Sequence, residues 1–229
     1  MSDPSLWYLL HTGDRLAAEN MAVDDVLHEM APSIERPILR FYGWSERGAS
    51  FGYSQRFQDV AKMTSLRPLV RRPTGGGLVP HDADWTYSLI FPPNAPWYSL
   101  KATESYRRVH LWVQASFERM KLATALAPAP GGDRTGQCFS GPEQFDVLWR
   151  DRKIAGAAQR RNRSGLLIQG SIQPPEPLDR SEWERTFCAV AQEVWGILWE
   201  GMELMKPIEK RVQQRLREKF GAAEFIEGR

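Results

Sequence analysis

Cysteine, histidine and net charge are all scarce in this chain, and each scarcity excludes a class of protein. The 229 residues include two cysteines, Cys138 and Cys188, four histidines, and a formal charge of +2. Two thiols so far apart cannot form the disulfide framework of a small secreted scaffold, so a reducing, cytoplasmic setting is expected. The histidines and cysteines lack the paired spacing of a metal cage, and no bound metal is expected. A near-balanced charge gives no reason to expect a nucleic-acid partner. The run Arg160-Arg161-Asn162-Arg163 is locally basic, either a contact for an acidic protein or a solvated hairpin turn. No apolar run approaches a membrane span, and the first residues, with Asp3 and Asp14, hold no signal-peptide core. There are no internal repeats.

The length, about one and a half times that of a usual domain, allows a full core. Leu6 to Leu10 reads as a short strand, Asp14 as a cap, and Ala17 to Met30 as a helix ending near Pro32. Ile38 to Tyr42 and Ala49 to Tyr53 are expected to be neighbouring strands joined by a turn, followed by strands at Leu69 to Arg72 and Thr86 to Phe91. Tyr106, Val109, Val113, Phe117 and Met120 recur at helical spacing within Ala102 to Leu122, so one face of that helix should lie on a sheet. Ala123 to Gly136 is a loop rich in Ala, Pro and Gly. Phe145 to Trp149, a turn at Arg150-Asp151-Arg152, and a return strand opened by Lys153 make a hairpin. Leu166 to Ile172 is a further strand. From Ser181 the pattern is helical through Ile197 and Leu198, and a last polar helix spans Ile208 to Phe220. Strands interrupted by single long helices argue for an α+β fold with a central mixed or antiparallel sheet.

The most informative segment is Arg71-Arg72-Pro73-Thr74-Gly75-Gly76-Gly77-Leu78-Val79-Pro80-His81-Asp82. Three successive glycines suit a place where the chain needs positive φ or close approach of another group. Their N–H groups could face an anion or a developing oxyanion. A plain flexible hairpin loop is the competing reading, weakened by the flanking Arg71, Arg72, His81 and Asp82.

This segment, with Tyr87-Ser88 after it, resembles the signature of the lipoate/biotin protein ligase and octanoyltransferase superfamily. Cys138-Phe139, Lys153-Ile154-Ala155-Gly156-Ala157-Ala158-Gln159 and Gln169-Gly170-Ser171-Ile172 follow in the family's order, and Asn20-Met21-Ala22-Val23-Asp24-Asp25 resembles its first helix. The resemblance covers nearly the whole chain. It implies a central sheet packed with helices, a single catalytic domain over residues 1–225, and a tail at 226–229, whose Ile-Glu-Gly-Arg matches a protease-tag sequence.

Cys138 sits in a loop after Gly136-Gln137, whereas Cys188 falls inside an apolar helical pattern. A thiolate becomes available at neutral pH when a nearby cation lowers its pKa, and Lys153, across the hairpin, is the candidate cation. As a lysine at the edge of a strand it is expected to add little packing. The order of cysteine before lysine resembles the M-type octanoyltransferases, which implies catalysis by Cys138 and Lys153. Cys138 would take octanoyl from acyl carrier protein as a thioester, and the lysine of a lipoyl domain, such as that of glycine cleavage H protein, would then attack. Neither ATP nor another cofactor is needed. Arg72, Thr74, Gly75, Gly76, Gly77, His81, Gly156 and Ala157 are the candidate substrate-binding residues. Gly156 and Ala157 would leave room for an acyl chain, Arg72 and Thr74 would position the loop, and His81 would order the loop, shuttle a proton, or be a structural imidazole bonded to Asp82. Gln169 stands where many M-type relatives carry histidine, so no proton relay is carried over to it. The alternatives are a lipoate–protein ligase holding Mg-ATP through Arg72, Gly75 to Gly77 and Lys153, and a catalytically silent carrier-binding module.

Overall fold

The computed structural model describes residues 5–129, 141–175 and 177–228. In chain order its elements begin β1 (Ser5–Arg15), α1 (Ala17–Ile34), β2 (Ile38–Trp44), β3 (Gly48–Phe51), α2 (Phe57–Met63), β4 (Leu69–Arg71), β5 (Val79–His81), β6 (Trp85–Phe91) and α3 (Ala102–Arg119). They continue with β7 (Ala125–Leu126), β8 (Val147–Trp149), β9 (Arg152–Asn162), β10 (Gly165–Ile172), α4 (Arg180–Trp195), β11 (Ile197–Met202), α5 (Lys206–Arg215) and α6 (Ala223–Glu227).

Strict alternation of apolar residues sends successive side chains to opposite faces of a strand, and here both faces are covered. Ile38, Ile90 and Leu167 face α1 and α5 in one core, while Leu39, Phe41, Leu89, Leu166 and Ile168 face α3 and α4 in the other. The sheet between them has, among the described residues, eight strands in the order β11-β1-β2-β6-β10-β9-β8-β7. It is mixed: β1 pairs in parallel with β11 and β2, and the remaining neighbours are antiparallel. A smaller sheet, β4-β3-β5, packs on α2 through Ala49, Phe51, Val60, Leu69 and Leu78. Among the described residues no helix is long and apolar enough to cross a membrane.

The expected α+β class is therefore found, with four local corrections. Ile38–Trp44 and Gly48–Phe51 are not neighbours, because β2 joins the large sheet beside β6 while β3 leaves it for the small one. Ile197 and Leu198 belong to a strand: Gly196 closes α4 at φ 62°, and the chain turns to pair with β1. Asp14 lies within β1 and caps nothing; Leu16 precedes the helix, and Glu46 Oε1 accepts the first helical N–H, that of Ala17, at 3.0 Å. Pro32 is carried inside α1, which closes one turn later on Glu35 in the left-handed region.

Candidate active site

Two arginines precede the glycine run and have separate duties. Arg71 is fully buried, and its guanidinium donates to the carbonyls of Tyr53, Gln55, Phe225 and Ile226 at 2.6–2.9 Å. Four backbone acceptors on one cation make Arg71 a tie between the turn after β3 and the C-terminal helix. Arg72 donates to the carbonyls of Gly75 at 3.0 Å and Gly77 at 2.7 Å, fixing the loop, and to Ser50 Oγ at 2.8 Å. Gly76 has φ 87°, a conformation that favours glycine, and a Cβ on the neighbouring Gly52 would collide with the Gly76 carbonyl oxygen.

Beside the loop lies a cavity whose wall includes Arg72, His81, Gly156, Ala157, Gln169 and Gly170. Small residues of β9 and β10 form its floor because Gly170 faces Ala157, and Ser171 faces Gly156, across the antiparallel ladder. Gln169 is buried. It accepts from Thr74 Oγ1 at 2.7 Å and donates to Asp24 Oδ2 at 2.7 Å. Asp24 is fully buried and paired with Arg40 at 2.7 Å, and it accepts from Ser88 Oγ at 2.8 Å. Gln169 is thereby a clamp between the glycine loop and a buried ion pair, with both ends of its amide used.

Lys153 is not the lightly packed strand-edge lysine expected from sequence. It is 6 % exposed, and its ammonium lies 2.7 Å from Asp146 Oδ2, itself fully buried. Asp146 also accepts from Tyr106 O–H at 2.5 Å and from the Glu143 N–H at 2.6 Å. The hairpin that brings the pair together turns on Arg150 and Asp151, both at positive φ, between Trp149 and Arg152. Gly156 makes space for the lysine: a Cβ there would stand 2.7 Å from Lys153 Cε and 2.9 Å from Nζ. The ammonium is thus held across the strand whose next residue, Ala157, lines the cavity.

His81 bonds to Asp84 rather than Asp82. Its Nδ1 is 2.9 Å from Asp84 Oδ2 and its Nε2 is 2.6 Å from Ser50 Oγ, while Trp44 stacks on the ring at 3.6 Å between centroids. Asp82 instead pairs with exposed Arg47 at 3.4 Å. The cause is the strand ladder: His81 ends β5 facing inward, and the chain must run on to Asp84 before a carboxylate points back.

The catalytic domain model for lipoyl protein ligases A and B matches residues 16–173, the span that contains this whole site. The chain belongs to the lipoyl protein ligase A/B catalytic domain family. A relative named octanoyltransferase LipM, from Halalkalibacterium halodurans, is 34% identical over 179 residues, which is 72% of this chain and 65% of the relative. The chain therefore matches just under two thirds of the length of that curated relative. Among solved structures, a bipartite lipoate protein ligase from Thermoplasma acidophilum, described with its E2 lipoyl domain, superposes with a TM-score of 0.77 at 19% identity, covering 98% of this chain and 97% of that one. A lipoate-protein ligase A bound with ATP gives 0.77 at 20% identity, covering 98% of both chains. These two likenesses concern the fold.

Within this ligase A/B family fold, Arg72, His81, Gly156 and Ala157 meet at one cavity. Thr74 reaches its edge through Gln169, Lys153 lies against Gly156, and Gly75 and Gly77 turn carbonyls toward Arg72. Cys138 lies outside the described residues. Ser50, Asp84, Asp146, Tyr106 and Asp24 are neighbours that sequence reading did not select. Asp146 had the best signal, an acidic residue on the outgoing arm of the hairpin whose return arm carries Lys153. The other cysteine, Cys188, is partly buried in α4, and burial followed by the charge of Glu184 pushes its thiol up to about 12.

Proposed function

We propose that this protein is an octanoyltransferase of protein lipoylation, working in the cytoplasm without a cofactor. Cys138 thiolate attacks the thioester of octanoyl-acyl carrier protein, the carrier thiolate leaves, and the lysine of a lipoyl domain, such as that of glycine cleavage H protein, takes the acyl group as an amide. Lys153, held by Asp146 beside Gly156, would supply positive charge to the thiolate and to the oxyanion that forms on the acyl carbonyl. The glycine loop and Arg72 shape the entrance, and Gly156 and Ala157 carry the acyl chain along β9.

The observation that carries this reading is the 34% identity with an octanoyltransferase LipM over a stretch that includes the glycine run and the Lys153 strand. The fold by itself is shared with an ATP-bound lipoate-protein ligase A, so the second reading is an ATP-dependent ligase acting on free acid. Transfer assays separate the two. An apo-lipoyl domain should gain octanoyl from octanoyl-acyl carrier protein with no nucleotide present, and free octanoate with ATP and Mg²⁺ should give nothing. Modification from free acid that requires ATP and survives Cys138→Ala would replace the transferase with the ligase.

A further inference from the structure

We infer that Ser50, His81 and Asp84 form a proton relay that deprotonates the acceptor amine, an inference that rests on the transferase reading above. The two halves of that reaction differ in their demand for a base. Exchange of one thioester for another brings in a thiolate and releases a thiolate, with no net proton to move. Aminolysis forms a C–N bond and breaks a C–S bond, and the nitrogen must shed a proton for the amide to persist. A dedicated acceptor is needed only there.

Partners in the structure fix the direction of the chain. A carboxylate only accepts, so Asp84, 2.9 Å away, takes the His81 Nδ1–H and leaves Nε2 as the acceptor. Arginine only donates, so Ser50 Oγ takes an Arg72 N–H at 2.8 Å and turns its own proton to His81 Nε2, 2.6 Å away. Its second lone pair remains for a group in the cavity that Ser50 lines. Asp84 is itself held by Thr86 Oγ1 at 3.0 Å and Ser171 Oγ at 2.7 Å, and Ser171 faces Gly156 across the ladder, which sets the relay beside the Lys153 strand. The imidazole also borders a second groove, lined by Asp14, Glu46, Asp82 and Asp84 together with Arg47 and Arg180. The relay thus spans from the acyl cavity to this second groove. The amine proton passes to Ser50 Oγ as Ser50 gives its own to His81, Asp84 balances the imidazolium, the enzyme sulfur departs as thiolate, and the extra proton leaves to water in the groove.

The test separates the halves. Enzyme loaded from octanoyl-acyl carrier protein is discharged either by a lipoyl domain or by hydroxylamine, a small nucleophile that is uncharged at neutral pH and can shed its proton directly to water. His81→Gln, Asp84→Asn and Ser50→Ala should slow discharge to the lipoyl domain by about a hundredfold to ten-thousandfold. Loading and hydroxylamine discharge should fall far less than discharge to the lipoyl domain, and Ser50→Thr, which keeps the hydroxyl, should recover most of the rate. Equal slowing of loading, or of hydroxylamine discharge, would make the three residues structural supports and overturn the relay. Unimpaired discharge would overturn it as well, and so would an octanoyl adduct found on Ser50. A wild-type protein that never loads would instead defeat the transferase reading, and the relay with it.

Discussion

Replacing Lys153 by alanine should destabilise the protein as well as silence it. The ammonium and the Asp146 carboxylate are both buried and 2.7 Å apart, so truncation strands a charge away from water. Breaking a buried pair from one side costs about 3–5 kcal/mol. For a chain of this size each kcal/mol moves the midpoint by about 2–4 °C, which predicts a fall of roughly 6–20 °C in a thermal melt. A second variant separates charge burial from chemistry. Lys153→Met combined with Asp146→Asn removes both charges at nearly constant volume and keeps one carbonyl oxygen for the Tyr106 hydroxyl or the Glu143 N–H. Most of the lost stability should return, because uncharged replacements of a buried pair are often close to neutral. Octanoyl transfer should not return, since the loss of one oxyanion-stabilising group costs about a hundredfold or more. A melt of Lys153→Ala that matches wild type would refute the buried-pair argument. Full activity in the double variant would reduce Lys153 to a structural residue.

Neighbouring glycines of the loop should behave differently: a Cβ on Gly75 meets nothing within 4 Å, whereas Gly76 sits at φ 87°. Gly75→Ala should leave the melting midpoint almost unchanged, while Gly76→Ala should lose about 1–3 kcal/mol from backbone strain, read from the same denaturation curves. His110 is fully buried, and burial lowers its pKa from 6.5 to about 4. The unfolded imidazole binds its proton first as pH falls, so this group's contribution, present above 6.5, is lost toward pH 4 and amounts to about 3 kcal/mol. His110→Gln should flatten that part of the stability–pH curve, and an unchanged slope would show that His110 does not titrate this way. Alkylation of the native protein at neutral pH should mark Cys138 and spare Cys188, whose thiol is pushed up to about 12 by burial; peptide mapping reads the outcome.

Local signals carried much of this architecture, and long-range pairing carried the rest. The face of α3 was legible because Val109, Val113 and Phe117 repeat at helical spacing, and all three are buried in one core. The hairpin was legible because Arg150-Asp151 separates two arms of alternating character. β11 was not, since Ile197 and Leu198 continue the apolar phase of α4; the break is set by Gly196 and by pairing with β1 at the other end of the chain. An apolar strand also looks the same whichever sheet takes it, so the sequence alone points to β3 beside β2. At the site, Lys153, Arg72 and the glycines stood out by residue type. Asp146 and Asp84 did not, because a single acid in an alternating stretch resembles any solvent-facing residue until its partner is known.

Intact mass of the protein after incubation with octanoyl-acyl carrier protein, in the absence of nucleotide, decides whether Cys138 carries the acyl group. A single octanoyl adduct is expected on wild type, mapped to Cys138, lost in Cys138→Ala, and cleared when a lipoyl domain is added. An adduct at Cys188, or no adduct on wild type while the lipoyl domain is still modified, would contradict it.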